Sequence, residues 1–320
     1  MFANFQGQNL HRANFKEASL RAANLQETNL FLADLREADL RNASFSGADL
    51  CYADISNAIL PDVNQLAGMD LTGTRLPSDI AKFEGLANVK EAATKASHLF
   101  TILLLGCLYA WLTVGTGFMG EAKEDKLGLP FIYNAYISRE GFSLAAPLFL
   151  LGLYGYLHIY LQRLWEHLAL LPAIFPDGTT LDKKATPWLF VGYVRAHMPK
   201  LRALPPQPMD RLQTCLIQLA AYWLVPITLG MFWWDSLGQG SRQGTAIDGL
   251  LTLAALGLGY WFMSLAAGTL SGRIGPRQAG QESPRRGLRQ ALADNMVEVA
   301  WFLLGVVPMF AGLTYFNWPG

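Results

Sequence analysis

From Phe5 to Leu60 a large apolar residue recurs at every fifth position: Phe5, Leu10, Phe15, Leu20, Leu25, Leu30, Leu35, Leu40, Phe45, Leu50, Ile55 and Leu60. Two residues before each stands Ala, except at Gln8 and Thr28. Between these apolar positions stands Asn, Asp or Ser, except at Ile59. One residue is inserted after Leu60, and a looser register resumes at Leu66, Leu71 and Leu76. A helix repeats at about 3.6 residues and a strand at about two, so a period of five makes the chain turn once per repeat. Beyond the repeat, Ile80 to Ser97 reads as a helix, with Phe83, Leu86 and Val89 at helical spacing. Five apolar runs follow, at 98–118, 143–164, 214–234, 246–270 and 296–316. Each reaches the length of about 20 residues that a bilayer crossing needs.

The runs Ala33-Asp34-Leu35, Ala38-Asp39-Leu40 and Ala48-Asp49-Leu50 carry the pattern A-(D/N)-L-x-x in full. In these residues the chain resembles the pentapeptide-repeat family over residues 3–76. The resemblance implies a short right-handed quadrilateral β-helix with four repeats per coil, its Leu, Phe and Ala side chains pointing inward. Large and small apolar residues would then fill a narrow interior while coils stack at about 4.8 Å. The expected fold class is therefore β plus membrane α, with a β-helix over 1–80, a capping or linker helix over 81–97, and a transmembrane helical domain over 98–320 with about five spans.

In such a coil the outward positions form columns of residues 20 apart. One column reads His11-Arg12, Phe31-Leu32 and Cys51-Tyr52, whereas its neighbours carry Lys16-Glu17, Arg36-Glu37 and Ser56-Asn57, or Arg21-Ala22 and Arg41-Asn42. Phe31, Leu32 and Tyr52 thus share one side of a polar head. Scattered surface apolar residues are ordinary; a contiguous set is the expected docking patch for a partner or for the chain's own membrane part.

Composition sharpens this division. Of 320 residues 52% are hydrophobic and 16% charged, with a formal net charge of +0. Residues 1–97 hold 21 of the Lys, Arg, Asp and Glu residues, and the 223 that follow hold 29. The segments 163–213 and 271–295 contain twelve Lys and Arg, against four in 119–142, 235–245 and the tail. Positive charge marks the cytoplasmic side, so the repeat head is expected in the cytoplasm of a multi-pass inner-membrane protein. The Pro-broken stretch after the second span contains Trp188-Leu189-Phe190-Val191 and Tyr193-Val194, which are too short to span and suggest an interfacial or re-entrant passage.

The second span is the one with candidate chemistry. Tyr156, Tyr160, Arg163 and His167 fall in a narrow helical stripe, with Tyr154, His158, Gln162 and Glu166 beside it. One reading is a proton- or ion-handling face, because polar groups inside a membrane are costly; the other is a helix leaving the bilayer through an aromatic belt. The sequence offers no catalytic, cofactor-binding or metal-ligating set. No H-E-x-x-H, G-x-S-x-G or Walker-type loop occurs. Gly115-Thr116-Gly117-Phe118-Met119-Gly120 spells a dinucleotide fingerprint but follows an apolar helix and not a strand. Cys51, Cys107 and Cys215 lie far apart. The head's ten acids and six bases over 1–80 do not resemble a nucleic-acid mimic. The expectation is a non-enzymatic interaction or scaffold module on a membrane anchor, the alternative a channel or transporter assembled or gated by the head. The expected partners are membrane lipid, a protein of unknown identity and a second copy of the chain, with no cofactor and no nucleic acid.

Overall fold

The computed structural model describes residues 3–60, 63–115, 126–128, 136–185, 188–206, 208–238 and 242–272. Among these the chain forms two compact units, one of residues 3–94, 163–214 and 267–272 and one of residues 95–162 and 215–266.

In the first unit each five-residue repeat makes one turn. The N–H of Gln8 donates to Phe5 O at 3.0 Å, that of Ala13 to Leu10 O at 3.0 Å, and that of Ala33 to Leu30 O at 2.9 Å. The last residue inside the turn is left-handed, with φ of 58° at Arg12, 59° at Leu32 and 61° at Glu37. The Asn or Asp of each motif stabilises the same turn. Its Oδ1 accepts the N–H two residues on, as Asn29 does from Phe31 at 3.0 Å and Asp49 from Cys51 at 3.0 Å. Short polar side chains favour turns through this local bond, which explains why the repeat keeps Asn or Asp there.

Successive coils pair through single-residue parallel bridges 20 residues apart, such as Asn24 with Ser44, Asn29 with Asp49 and Asp34 with Asp54. The spacing becomes 21 between Asp54 and Arg75, where the extra residue after Leu60 has entered. The inward positions form the core: Leu25, Leu30, Leu35, Leu40 and Leu50 are fully buried, with Ala33, Ala38, Ala43 and Ala53 between them. Thr28 and Thr74 also point inward, and their hydroxyls donate to Phe5 O at 2.9 Å and Leu50 O at 2.8 Å. A buried hydroxyl is tolerated because it has a carbonyl to bond.

The far edge of the last coil is taken by a segment about 100 residues further along the chain. Gly68, Leu71 and Gly73 donate their N–H groups to Leu171, Ile174 and Pro176 at 2.9, 3.0 and 2.9 Å, and Ala173 N–H returns to Met69 O at 2.9 Å. Ile174 forms a parallel bridge with Asp70 and an antiparallel one with Thr180. Phe83, after a single turn of 3-10 helix at Ile80–Lys82, meets Phe175 edge-on at 4.8 Å. This pairing was invisible to the repeat pattern, which ends near residue 76.

The helices are α1 (Gly85–Gly115), α2 (Arg139–Ala169), α3 (Leu181–Lys184), α4 (Tyr193–His197), α5 (Pro199–Arg202), α6 (Asp210–Gln218), α7 (Leu224–Gly238) and α8 (Arg242–Leu270). A π-turn, Leu219–Trp223, joins α6 to α7. A two-stranded antiparallel pair, β1 (Lys126–Gly128) and β2 (Tyr136–Ser138), lies between α1 and α2. Among the described residues four stretches are long and apolar enough to cross a membrane: Gly85–Val114, Gly141–Ala169, Asp210–Gly238 and Gln243–Leu270. Each begins before the corresponding apolar run, since the helices carry polar residues at their ends. The fifth expected span, 296–316, lies outside the described residues. These helices leave Leu104, Leu108, Leu112, Leu148, Phe149, Leu250 and Leu253 exposed, which suits a hydrocarbon surrounding and not water.

Phe190, Val191, Tyr193 and Val194, expected at a membrane interface, are instead buried in the first unit. The Tyr193 ring lies 5.4 Å from that of Trp165. A 3-10 turn at Leu189–Gly192 leading into α4 puts these neighbours on inward faces, so the apolar run serves a protein core.

The interior register yields a direct check. Leu35→Arg puts a charge where no water or counter-ion reaches, and it should destabilise the repeat head by about 3 kcal/mol or more. Arg36→Ala, one residue on and facing out, should leave the melt unchanged. Thermal melts of the purified full chain, followed by proteolysis within the repeat, distinguish the two; equal melts would overturn the register.

Candidate functional site

The outward column that the sequence singled out is a stack of rings. His11 and Phe31 lie parallel, with centroids 5.5 Å apart and planes 15° from each other, and Phe31 meets Tyr52 at 5.6 Å and 65°. Tyr52 is 53% exposed and Leu32 is 40% exposed, while Phe31 is half-buried between the other two rings. The structure thus brings Phe31 and Tyr52 into contact, with Leu32 beside them in the chain.

The backbone beneath the rings is held on every level. Arg12 N–H donates to Phe31 O at 2.9 Å, Leu32 N–H to Cys51 O at 3.1 Å, and Tyr52 N–H to Thr72 O at 2.9 Å. Below Tyr52 the column ends in Gly73, whose φ is +69°. A Cβ on Gly73 would stand 2.4 Å from Tyr52 Cδ1, so the ring rests in space that only glycine leaves. Aromatic pairs of this kind present rigid apolar area at little entropic cost.

The neighbouring sides are ionic. Arg36 makes two charge-assisted bonds to Asp34, at 2.8 and 2.6 Å, and Arg41 does the same to Asp39. These guanidinium groups hold both carboxyls down at about 2, well below the usual carboxylate range. Exposed pairs contribute little stability, but they keep this surface charged and hydrated. Cys51, in the same column, is held in its neutral thiol form. Burial, with Asp49 and Asp70 beside it, pushes its thiol up to about 12.

The second sequence-derived set lies on α2. Tyr156 and Tyr160 meet, with hydroxyls 3.2 Å apart and rings 5.1 Å apart at 78°. Arg163 is exposed and His167 half-buried further along the same helix. The flanking residues hold the more unusual chemistry: Tyr154 and His158 are buried, and Tyr154 donates its hydroxyl to Tyr222 O at 3.1 Å. In the sequence these two stand merely beside the stripe.

A second group was missed altogether. Arg195 on α4, only 12% exposed, bonds Asp210 at 2.9 Å, Asp182 at 3.4 Å and Pro205 O at 3.1 Å. It ties α3, α4 and the start of α6 into one core. No spacing rule links residues 13 and 15 positions apart, so only the fold reveals them. Among the described residues no group of three or more His, Cys, Asp and Glu side chains could hold a metal ion.

Residues 1–36 and 28–64 match the family model of pentapeptide repeats, in 8 copies. The N-terminal stretch of about 64 residues is thus a pentapeptide-repeat region, as its five-residue period and 20-residue bridges require. Together with four long apolar helices, it fits a multi-pass membrane protein that carries a repeat domain. No curated protein matches the chain.

Gly73→Ala tests the seat of the ring column. A Cβ at a left-handed position costs about 1–2 kcal/mol, and here it also displaces Tyr52. Denaturant melts should show the loss shrinking when Tyr52→Ala is added, because the clash then has no partner. An equal loss in both backgrounds would show that Tyr52 does not rest on Gly73.

Proposed function

We propose that the protein is a multi-pass protein of a bacterial inner membrane, holding its repeat head at the cytoplasmic surface as a protein-interaction module. The observation that carries this reading is the ring column of Phe31 and Tyr52, with Leu32 beside it, on a head whose adjoining sides are charged and hydrated. A rigid apolar strip framed by polar surface is the anatomy of a small protein-binding face. The cytoplasmic placement rests on the twelve Lys and Arg of 163–213 and 271–295 against four elsewhere in the loops and tail. On this reading the chain crosses the membrane five times, the fifth crossing at 296–316, with residues 81–97 helping to seal the head. The role is non-enzymatic and needs no cofactor or metal, and the partner is a second protein or another copy of the chain.

Phe31→Glu together with Tyr52→Glu should abolish that docking while leaving the head folded, because both positions face outward. Light scattering of the purified protein and chemical cross-linking in intact membranes read the change in mass. Loss of a wild-type cross-linked species in the double variant supports the face; the same masses and the same cross-links in both would sink it.

A second reading is favoured by the paired hydroxyls of Tyr156 and Tyr160 on an apolar helix, with Arg163 and His167 beyond them. On that reading the helices conduct an ion or proton and the head assembles or gates the path. Flux in liposomes, measured for the wild type beside Arg163→Ala and His167→Ala, decides it. Flux that either substitution changes by about tenfold supports conduction; none under any gradient removes it.

A further inference from the structure

Within the second unit, three helical segments converge on one imidazole. His158 of α2 is 2% exposed and lies between two rings. Tyr222 of the π-turn stacks on it at 5.1 Å and 18°, and Phe262 of α8 at 4.9 Å and 12°. Tyr154, one turn earlier on α2, meets it edge-on at 4.5 Å and 85°. The Nε2 atom is buried and makes no hydrogen bond. Gly259 of α8 completes the junction: a Cβ there would fall 2.5 Å from Tyr154 Oη and 3.3 Å from Tyr222 O.

We propose that His158 is a proton-binding site of this unit, and that a proton taken up at Nε2 releases the π-turn from α2. Two observations lead there independently. Buried polar atoms in folded proteins nearly always find a partner, so a buried ring nitrogen without one points to an atom kept for a ligand. The ring faces around it are the surfaces that attract a cation. The π-turn is the second. Such wide turns are rare, occur as single turns within helices and are frequent at functional sites. This one is anchored by Tyr154, which bonds the Tyr222 carbonyl, and by His158, which stacks on the Tyr222 ring.

The groups facing the imidazole are the phenol of Tyr154 from its own helix, the phenol of Tyr222 from the π-turn and the uncharged ring of Phe262 from α8. The backbone of Ala221, in the same π-turn, also hydrogen-bonds the imidazole, but no carboxylate is among these groups, so a proton from water adds a buried charge without a counter-ion. A buried charge is relieved by a partner or by exposure, and exposure here means parting from Tyr222. The π-turn then loses its stacking partner and is free to rewind.

The test uses the full chain in lipid nanodiscs with 15N-labelled histidine, between about pH 8 and pH 5. His158→Phe keeps the stack, removes Nε2 and assigns the His158 signal by its disappearance. In the wild type the His158 imidazole signal should shift on acidification, and the hydrogen-exchange protection of residues 219–223 should fall about tenfold with it. In His158→Phe that protection should stay level across the same range. Equal pH response in the two proteins overturns the proposal, as does a His158 signal that shifts while 219–223 keep their protection. Should His158→Phe fail to fold, the wild type alone decides: protection that does not change with pH overturns the proposal, and loss that tracks an imidazole shift supports it.

Discussion

Every coil of the head has backbone groups pointing up and down its axis, and they are satisfied only by another backbone one coil away. The rest of the first unit follows from that requirement. It demands that residues 20 apart lie in register, as the bridges Asn24–Ser44 and Asp34–Asp54 do. The register demands a turn every five residues, which the Asx bonds and left-handed positions provide. With the turns set, only two positions per repeat face inward, and a large and a small apolar side chain are what that narrow space admits.

The same requirement explains why a distant segment joins the head. An unpaired coil edge is a template for any passing strand. Here the edge at Gly68–Gly73 is closed by Leu171, Ile174 and Pro176, which follow the end of α2. The residues just beyond, Thr180 to Leu201, are then held in one core with that strap by Leu181, Phe190, Val194 and the Arg195 ion pairs. Removing one acid from such a set would leave a charge poorly compensated, so each member holds the others in place. The head is therefore not an independent bead on the chain: its last coil is completed by sequence lying between the second and third long helices.

What could be read in advance divides along the line between local and distant causes. The period of five, the inserted residue after Leu60, the inward ladder and the outward column were all legible, because each depends on residues at fixed short separations. The four long helices were legible from apolar length, although the apolar runs at 143–164, 214–234 and 246–270 begin later than the stretches at Gly141, Asp210 and Gln243, because polar residues inside a helix end fall outside an apolar run. The strap at 171–176 was not legible, because it pairs through backbone atoms that any sequence supplies. Trp188 to Val194 was misjudged for a related reason. An apolar run states that a surface must be covered and is silent on whether lipid or protein covers it. At the candidate sites, Phe31 and Tyr52 were found through the 20-residue column, whereas His158 was passed over for the neighbouring stripe, its partners Tyr222 and Phe262 lying far along the chain.

The meaning of an exposed apolar residue differs between the two parts of this chain. On the long helices exposed leucines are the rule, and a bilayer accounts for all of them at once. On the head the adjoining faces carry Arg, Asp, Lys and Glu, several locked in pairs, so water is the surrounding medium. An aromatic strip there is not explained by the solvent. Nor does the fold require it, because the equivalent outward positions of neighbouring columns hold Lys16, Arg36 and Ser56 on the same backbone. The rings of Phe31 and Tyr52 thus add nothing that the coil needs for its own hydrogen bonds or its own core. Residues that neither the solvent nor the scaffold demands have chemistry left for contact with something else, and this strip is where the proposed docking would fall.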